Sequence, residues 1–180
     1  MKIKMMTLAA IFCCAMSSMM FTACGSDDDD DNKVQVDDTK AVGAVMTYTF
    51  LVSDDMFDVL DMTVEYYDDN GELATEKLTQ KEWTKTVKVA KLPVSLGACL
   101  KVQIKDGVDE NSVGYASYTY RYTNKAYSVT ATGKVVDLAE DNKTEAVFSL
   151  PYLSAQENGI IMSFLYNFSD KGQVVAGSWE

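Results

Sequence analysis

The chain has 180 residues, 47% of them hydrophobic, with 16 Lys plus Arg against 27 Asp plus Glu, no His and a net charge of -11. That length suits one packed domain, and the acidic balance argues against a sequence-independent grip on nucleic-acid phosphates, so no nucleic-acid partner is expected. Without His, the Ser/His/Asp and Cys/His nucleophile systems and the usual catalytic zinc sites are excluded.

The first segment reads as an address. Lys2 and Lys4 give a positive start, and residues 5–21 follow without a single charge, in the order of a secretory signal rather than of a structural helix. The stretch ends in Phe21-Thr22-Ala23-Cys24, which resembles a bacterial lipobox. The resemblance implies cleavage before Cys24 and lipidation of its sulfur and amine, making residues 1–23 a lipoprotein signal peptide. Gly25 and Ser26 come next, then Asp27, Asp28, Asp29, Asp30 and Asp31. An acidic run directly after the lipidated Cys is similar to the export signal that sends lipoproteins of Bacteroidota-type bacteria to the cell surface. The residues support a tether independently of that likeness, because adjacent like charges repel and keep a segment extended and solvated. Several acyl chains, at about 0.8 kcal/mol per buried methylene, would hold the protein permanently. Residues 24–40 then form a lipidated acidic tether that spans at most roughly 55–60 Å. The expected location is the outer membrane, facing outward, with the membrane as partner through the anchor.

Removing residues 1–23 leaves 157 residues with 14 basic and 27 acidic side chains, a net charge of -13. Cys13 and Cys14 depart with the signal and Cys24 carries lipid, so Cys99 is the one thiol left and no internal disulfide is possible. A core unaided by disulfides is feasible at this size. Past Phe21 no run approaches 18 uninterrupted apolar residues, so the lipid is the expected membrane attachment.

From Ala41 onward the hydrophobic period is two. Leu60, Met62, Val64 and Tyr66 alternate with Asp61, Thr63, Glu65 and Tyr67, as a half-buried strand requires. The same alternation predicts strands over about 42–52, 57–67, 72–79, 82–90, 94–105, 113–123, 126–137, 145–150, 159–168 and 173–179. Turn chemistry separates them: Asp68-Asp69-Asn70-Gly71, Lys105-Asp106-Gly107, Asp141-Asn142-Lys143 and Asp170-Lys171-Gly172. Many short antiparallel strands mean a sandwich or a barrel. Residues 41–180 are therefore expected to form a single all-β domain. The Leu92-Pro93 interruption, the uneven loops and the apolar inner faces favour an antiparallel β-sandwich, immunoglobulin-like but without its disulfide; a closed lipocalin-like β-barrel is the alternative.

Residues 41–76 hold nine acidic side chains and no Lys or Arg, whereas 77–105 hold seven Lys and one Glu, which reads as acidic and basic strands neutralising each other across a sheet. Asp54, Asp55 and Asp58, and separately Asp68, Asp69, Asn70 and Glu72, are the groups a cation would need, but neither fits a calcium-loop register and both read as solvated turns. Tyr118, Tyr120 and Tyr122 stand at i, i+2 and i+4, beside Ala116, with Ser117, Thr119, Arg121 and Thr123 on the other face. These phenols are the candidate ligand-binding residues: they either pack inward with hydroxyls reaching the rim or line a concave pocket. Cys99 shares a face with Lys101 and Gln103 and so is expected to be partly exposed, without a His to activate it. No cofactor or metal motif is present, and the chain is read as a non-catalytic binding, accessory or structural module with a protein or glycan partner. A small-ligand or glycan carrier with a tyrosine-lined cavity is one alternative. A carboxylate-dependent glycoside hydrolase, needing two facing acids about 5–9.5 Å apart, is the other.

Overall fold

The computed structural model of the chain describes residues 37–109, 118–154 and 158–179. The lipobox, Cys24, Ser26 and the acidic run Asp27 to Asp31 lie outside these residues, as do Ala116 and Ser117. Among the described residues nine strands are present: β1 (Ala41–Val52), β2 (Leu60–Tyr67), β3 (Leu73–Lys77), β4 (Glu82–Val89), β5 (Val94–Ile104), β6 (Tyr118–Thr130), β7 (Val135–Phe148), β8 (Ile160–Phe168) and β9 (Val174–Gly177). Two short helices, α1 (Met56–Val59) and α2 (Leu150–Ser154), sit between strands.

The strands make two antiparallel sheets, ordered β4-β1-β6-β7 and β3-β2-β5-β8-β9. Neither sheet closes on itself, so the fold is an all-β sandwich and the barrel alternative is overturned. The period-two pattern explains why. On β2, Leu60, Met62, Val64 and Tyr66 are buried while the residues between them are exposed or half-buried, so one face of each sheet is apolar and must be covered by the other sheet. The inner faces meet in one cluster that includes Met46, Tyr48 and Phe50 from β1, Leu96, Ala98 and Leu100 from β5, and Phe164, Tyr166 and Phe168 from β8. On the outer face of the four-stranded sheet Thr47 pairs with Thr86 at 3.0 Å and Thr49 with Thr84 at 3.1 Å through their hydroxyls, while Leu138 and Val147 of β7 are exposed.

Three boundaries differ from expectation. Residues 57–59 belong to α1 rather than to the start of a strand, with the α1 turn held by Phe57 N–H donating to Asp54 O at 3.0 Å. Between Tyr118 and Thr130 the two strands expected over 113–123 and 126–137 are one, β6, running through Thr123-Asn124-Lys125. Asn124 is buried on the inner face there, and a polar residue at an inward position mimicked a break. The chain reverses instead at Thr130–Lys134, where Gly133 takes φ 86° and its N–H donates to Thr130 O at 3.0 Å. Consequently Asp141-Asn142-Lys143 is not a turn but part of β7, which carries a bulge opposite Tyr120 and Tyr122. The Asn70-Gly71 hairpin is present as expected, joining β2 to β3 with Gly71 at φ 74°.

Candidate functional site

The tyrosine stripe belongs to the interior. On β6, Tyr118 is 2% exposed and Tyr120 and Tyr122 are half-buried against the core. Tyr120 Oη donates to Ile161 O on the opposite sheet at 3.0 Å, and Tyr122 Oη donates to Asp141 Oδ2 on neighbouring β7 at 3.1 Å. The Tyr122 ring lies 5.8 Å from that of Phe164. Burial raises the pKa of all three phenols, which keeps them as neutral hydrogen-bond donors. The arrangement is the first of the two anticipated: rings packed in the core, hydroxyls reaching its rim.

A second aromatic cluster, which the sequence did not single out as a site, closes the opposite long edge of the sandwich. Trp83 on β4 packs 5.8 Å from Phe50, 6.4 Å from Tyr48 and 5.3 Å from Tyr66. Its Nε1 donates to Glu76 Oε2 at 2.9 Å, while Glu76 Oε1 accepts from Tyr66 Oη at 2.5 Å and from Lys85 Nζ at 2.7 Å. Lys85 also stands 5.0 Å over the Tyr66 ring. One carboxylate on edge strand β3 thus collects donors from β2 and from β4 of the other sheet. The Lys85 hydrogen bond, followed by those of Tyr66 and Trp83, pulls the Glu76 carboxyl down to about 2, and the same contact raises the Lys85 ammonium.

A depressed carboxyl contributes stability that is complete above its unfolded value of 4.5 and is lost as pH falls through about 2. Both side chains keep 39% of their exposure. Solvent screening therefore limits the expected contribution to about 1 kcal/mol. Urea midpoints measured from pH 6 down to pH 2 should show that loss in the wild type, and a Glu76→Gln variant should start lower and change less over the same range.

The outer face of the five-stranded sheet carries paired charges. Lys77 Nζ meets Asp61 at 3.0 Å and Lys101 Nζ meets Glu65 at 2.7 Å; with Lys81–Asp54 and Lys85–Glu76, these pairs realise the expected neutralisation of the acidic stretch by the lysine-rich one. Cys99 lies on the same face but is fully buried beneath Glu65, its Sγ donating to Glu65 Oε2 at 3.8 Å. The expectation of partial exposure fails because the long side chains of Glu65 and Lys101 close over the strand. Burial, and after it the Glu65 charge, pushes the thiol up to about 12, which leaves it inert as a nucleophile.

The acidic side chains at the turns have partners of their own, with Asp54 paired to Lys81. Asp68 Oδ1 accepts from Asn70 N at 2.8 Å and Glu72 N at 3.0 Å, and Asp69 Oδ1 accepts from Lys88 N at 2.7 Å. Those backbone bonds lower the Asp68 pKa. Two surface depressions stand out: a trough of about 510 Å³ along Asp61, Thr63, Glu65, Lys101 and Gln103, and one of about 650 Å³ where β1 begins, flanked by Lys40, Lys91 and Lys171. No family model, curated protein or solved structure matches the chain. The site chemistry accordingly rests on these residues alone.

Proposed function

We propose that the chain is a lipoprotein of the outer membrane, anchored through Cys24 and exported by the acidic run Asp27 to Asp31, whose sandwich acts outside the cell as a non-catalytic binding, accessory or structural module. The observation that carries this reading is the succession Phe21-Thr22-Ala23-Cys24, Gly25-Ser26 and five Asp, ahead of a domain whose first strand starts at Ala41. The protein or glycan partner would meet the outer sheet faces, since the space between the sheets is taken by side chains. That packing speaks against the carrier reading, which needs the volume around Tyr118, Tyr120 and Tyr122.

Replacing Cys24 with Ser tests the anchor. The wild-type chain should label with radioactive palmitate and sediment with membranes, and the variant should do neither; a variant that still labels and sediments overturns the reading. Changing Asp27 to Asp31 to Ala should leave labelling intact but protect the domain from protease added to whole cells.

A further inference from the structure

The outer face of the four-stranded sheet changes character toward the end where β1 begins. Ladder register sets out its rows. Thr86, Thr47, Lys125 and Glu140 form a polar row across β4, β1, β6 and β7, closed by the Lys125–Glu140 ion pair at 2.6 Å. The next outward row runs Lys88, Val45, Tyr127, Leu138, and the one after it holds Val129 and Val135. Here the register slips twice. Between Ala41 and Gly43 on β1, and between Val135 and Asp137 on β7, one residue has no opposite number on β6, and both extra residues are valines, Val42 and Val136. A bulge re-aims a side chain, and each of these adds an aliphatic group to the surface: Val42, Val135, Val136 and Leu138 keep 41–49% of their exposure.

The lysines divide in the same way. Lys77, Lys81, Lys85, Lys101 and Lys125 each pair with a carboxylate, and Lys105 Nζ donates to Phe57 O at 2.5 Å. Lys40, Lys88, Lys91, Lys134 and Lys171 have no ion-pair partner among the described residues, and all five belong to this end. Lys88 closes the Val45 row, Lys134 precedes Val135 in the turn from β6, and Lys40 stands just before β1. The depression of about 650 Å³ at Lys40 and Val42 adds Lys91 and Lys171, with Asp170 as its one lining carboxylate. Other acids at this end are tied elsewhere: Asp38 Oδ1 accepts from Thr130 Oγ1 at 2.7 Å, Asp69 Oδ1 from Lys88 N at 2.7 Å and Asp137 Oδ2 from Val174 N at 2.8 Å.

We propose that this corner is a membrane-seating surface, its four aliphatic side chains at the headgroup level of the bilayer and its unpaired lysines on the phosphates of anionic lipids. The inference rests on anchorage through Cys24, because the chain leading from that residue enters the domain here. Aliphatic groups ringed by ammonium groups suit a bilayer interface, where the acyl boundary lies just beneath the phosphates. A second protein would need more. The exposed aliphatic surface amounts to roughly 300 Å², well short of the about 800 Å² per partner that a stable protein pair buries.

The test uses the full lipidated chain, reconstituted through its anchor into phosphatidylcholine vesicles with or without phosphatidylglycerol. Leu138→Cys, and as a control Val175→Cys on the other sheet, 61% exposed in the wild type, each carry an environment-sensitive fluorophore, while Cys99 stays buried. A lipid-borne quencher should dim the label at position 138 at least about twofold more than that at 175, and phosphatidylglycerol should widen the difference. Reversing Lys40→Glu and Lys134→Glu together should remove the phosphatidylglycerol-dependent part. Equal quenching at the two positions overturns the inference, since a domain tumbling on its tether shows both faces to lipid alike. Quenching that ignores both phosphatidylglycerol and the lysine reversals overturns it too, and so does a label at 138 that shifts to the blue with protein density but escapes the quencher, the mark of a second copy. A chain that fails to float with the vesicles overturns the anchorage itself and this inference with it.

Discussion

Replacing Phe50 with Ala is expected to destabilise the domain by about 3–5 kcal/mol. Phe50 is fully buried near the C-terminal end of β1 and touches both sheets: Trp83 at 5.8 Å and Phe164 at 5.7 Å between ring centroids. Its ladder neighbours are Trp83 on β4 and Tyr122 on β6, so the ring lies where the sheet-edge clamp and the tyrosine stripe adjoin. Truncation removes the transfer free energy of a large side chain and leaves a void that three surrounding rings, held by their own contacts, cannot fill. Set against a total stability of about 5–15 kcal/mol for a domain, that is a large fraction. Thermal melts should fall by roughly 10–15 °C. Phe50→Leu, which keeps most of the volume, should lose much less, and equal losses for the two variants would refute the cavity argument.

Gly97→Ala should be at least as damaging for the opposite reason. Gly97 lies within β5, paired with Leu165 of β8, and a Cβ built there would stand 2.3 Å from Phe164 O and 2.9 Å from Leu165 Cα. Both obstacles are backbone, so relief requires separating two central strands rather than turning a side chain. Overpacking in a well-packed interior costs about 1–3 kcal/mol, and the breakage of ladder hydrogen bonds in the centre of the sheet adds to it. Gly177→Ala is the control: there the nearest atom is the Asn167 side-chain nitrogen at 2.7 Å, the movable end of a surface amide. Urea unfolding should show a loss of 3 kcal/mol or more for Gly97→Ala and under about 1 kcal/mol for Gly177→Ala.

The sandwich could be read from the sequence wherever alternation was unbroken. β2, β5 and β8 follow from their apolar positions almost residue by residue, and the β2–β3 hairpin follows from Asn70-Gly71. The reading failed where an inward position is polar or an outward one is covered. Asn124 cut β6 in two, although the period from Tyr118 through Tyr120 and Tyr122 runs on unbroken in register to Ala126, Ser128 and Thr130, and that continuity was the signal available. Cys99 was assigned to the correct face but its exposure depended on the reach of Glu65 and Lys101 from two strands. The Glu76 clamp left no local trace at all: Leu73 to Lys77 shows no apolar alternation, and the carboxylate gains its role only because β3 and β4, edges of different sheets, come together around Tyr66 and Trp83. The tyrosine stripe was legible as a stripe, and its inward direction followed from Thr119, Arg121 and Thr123 opposite it.

The position of β1 within its sheet governs how the domain bears mechanical load. Tension arriving along the residues before Ala41 enters a strand flanked on one side by β4 and on the other by β6 over most of its length, so the two ladders are strained together in shear instead of unzipping one rung at a time. An outer strand such as β9, four residues long, would peel under the same pull. Under the anchoring proposed through Cys24, the domain would thus hold its tether through a strand with a ladder on either side.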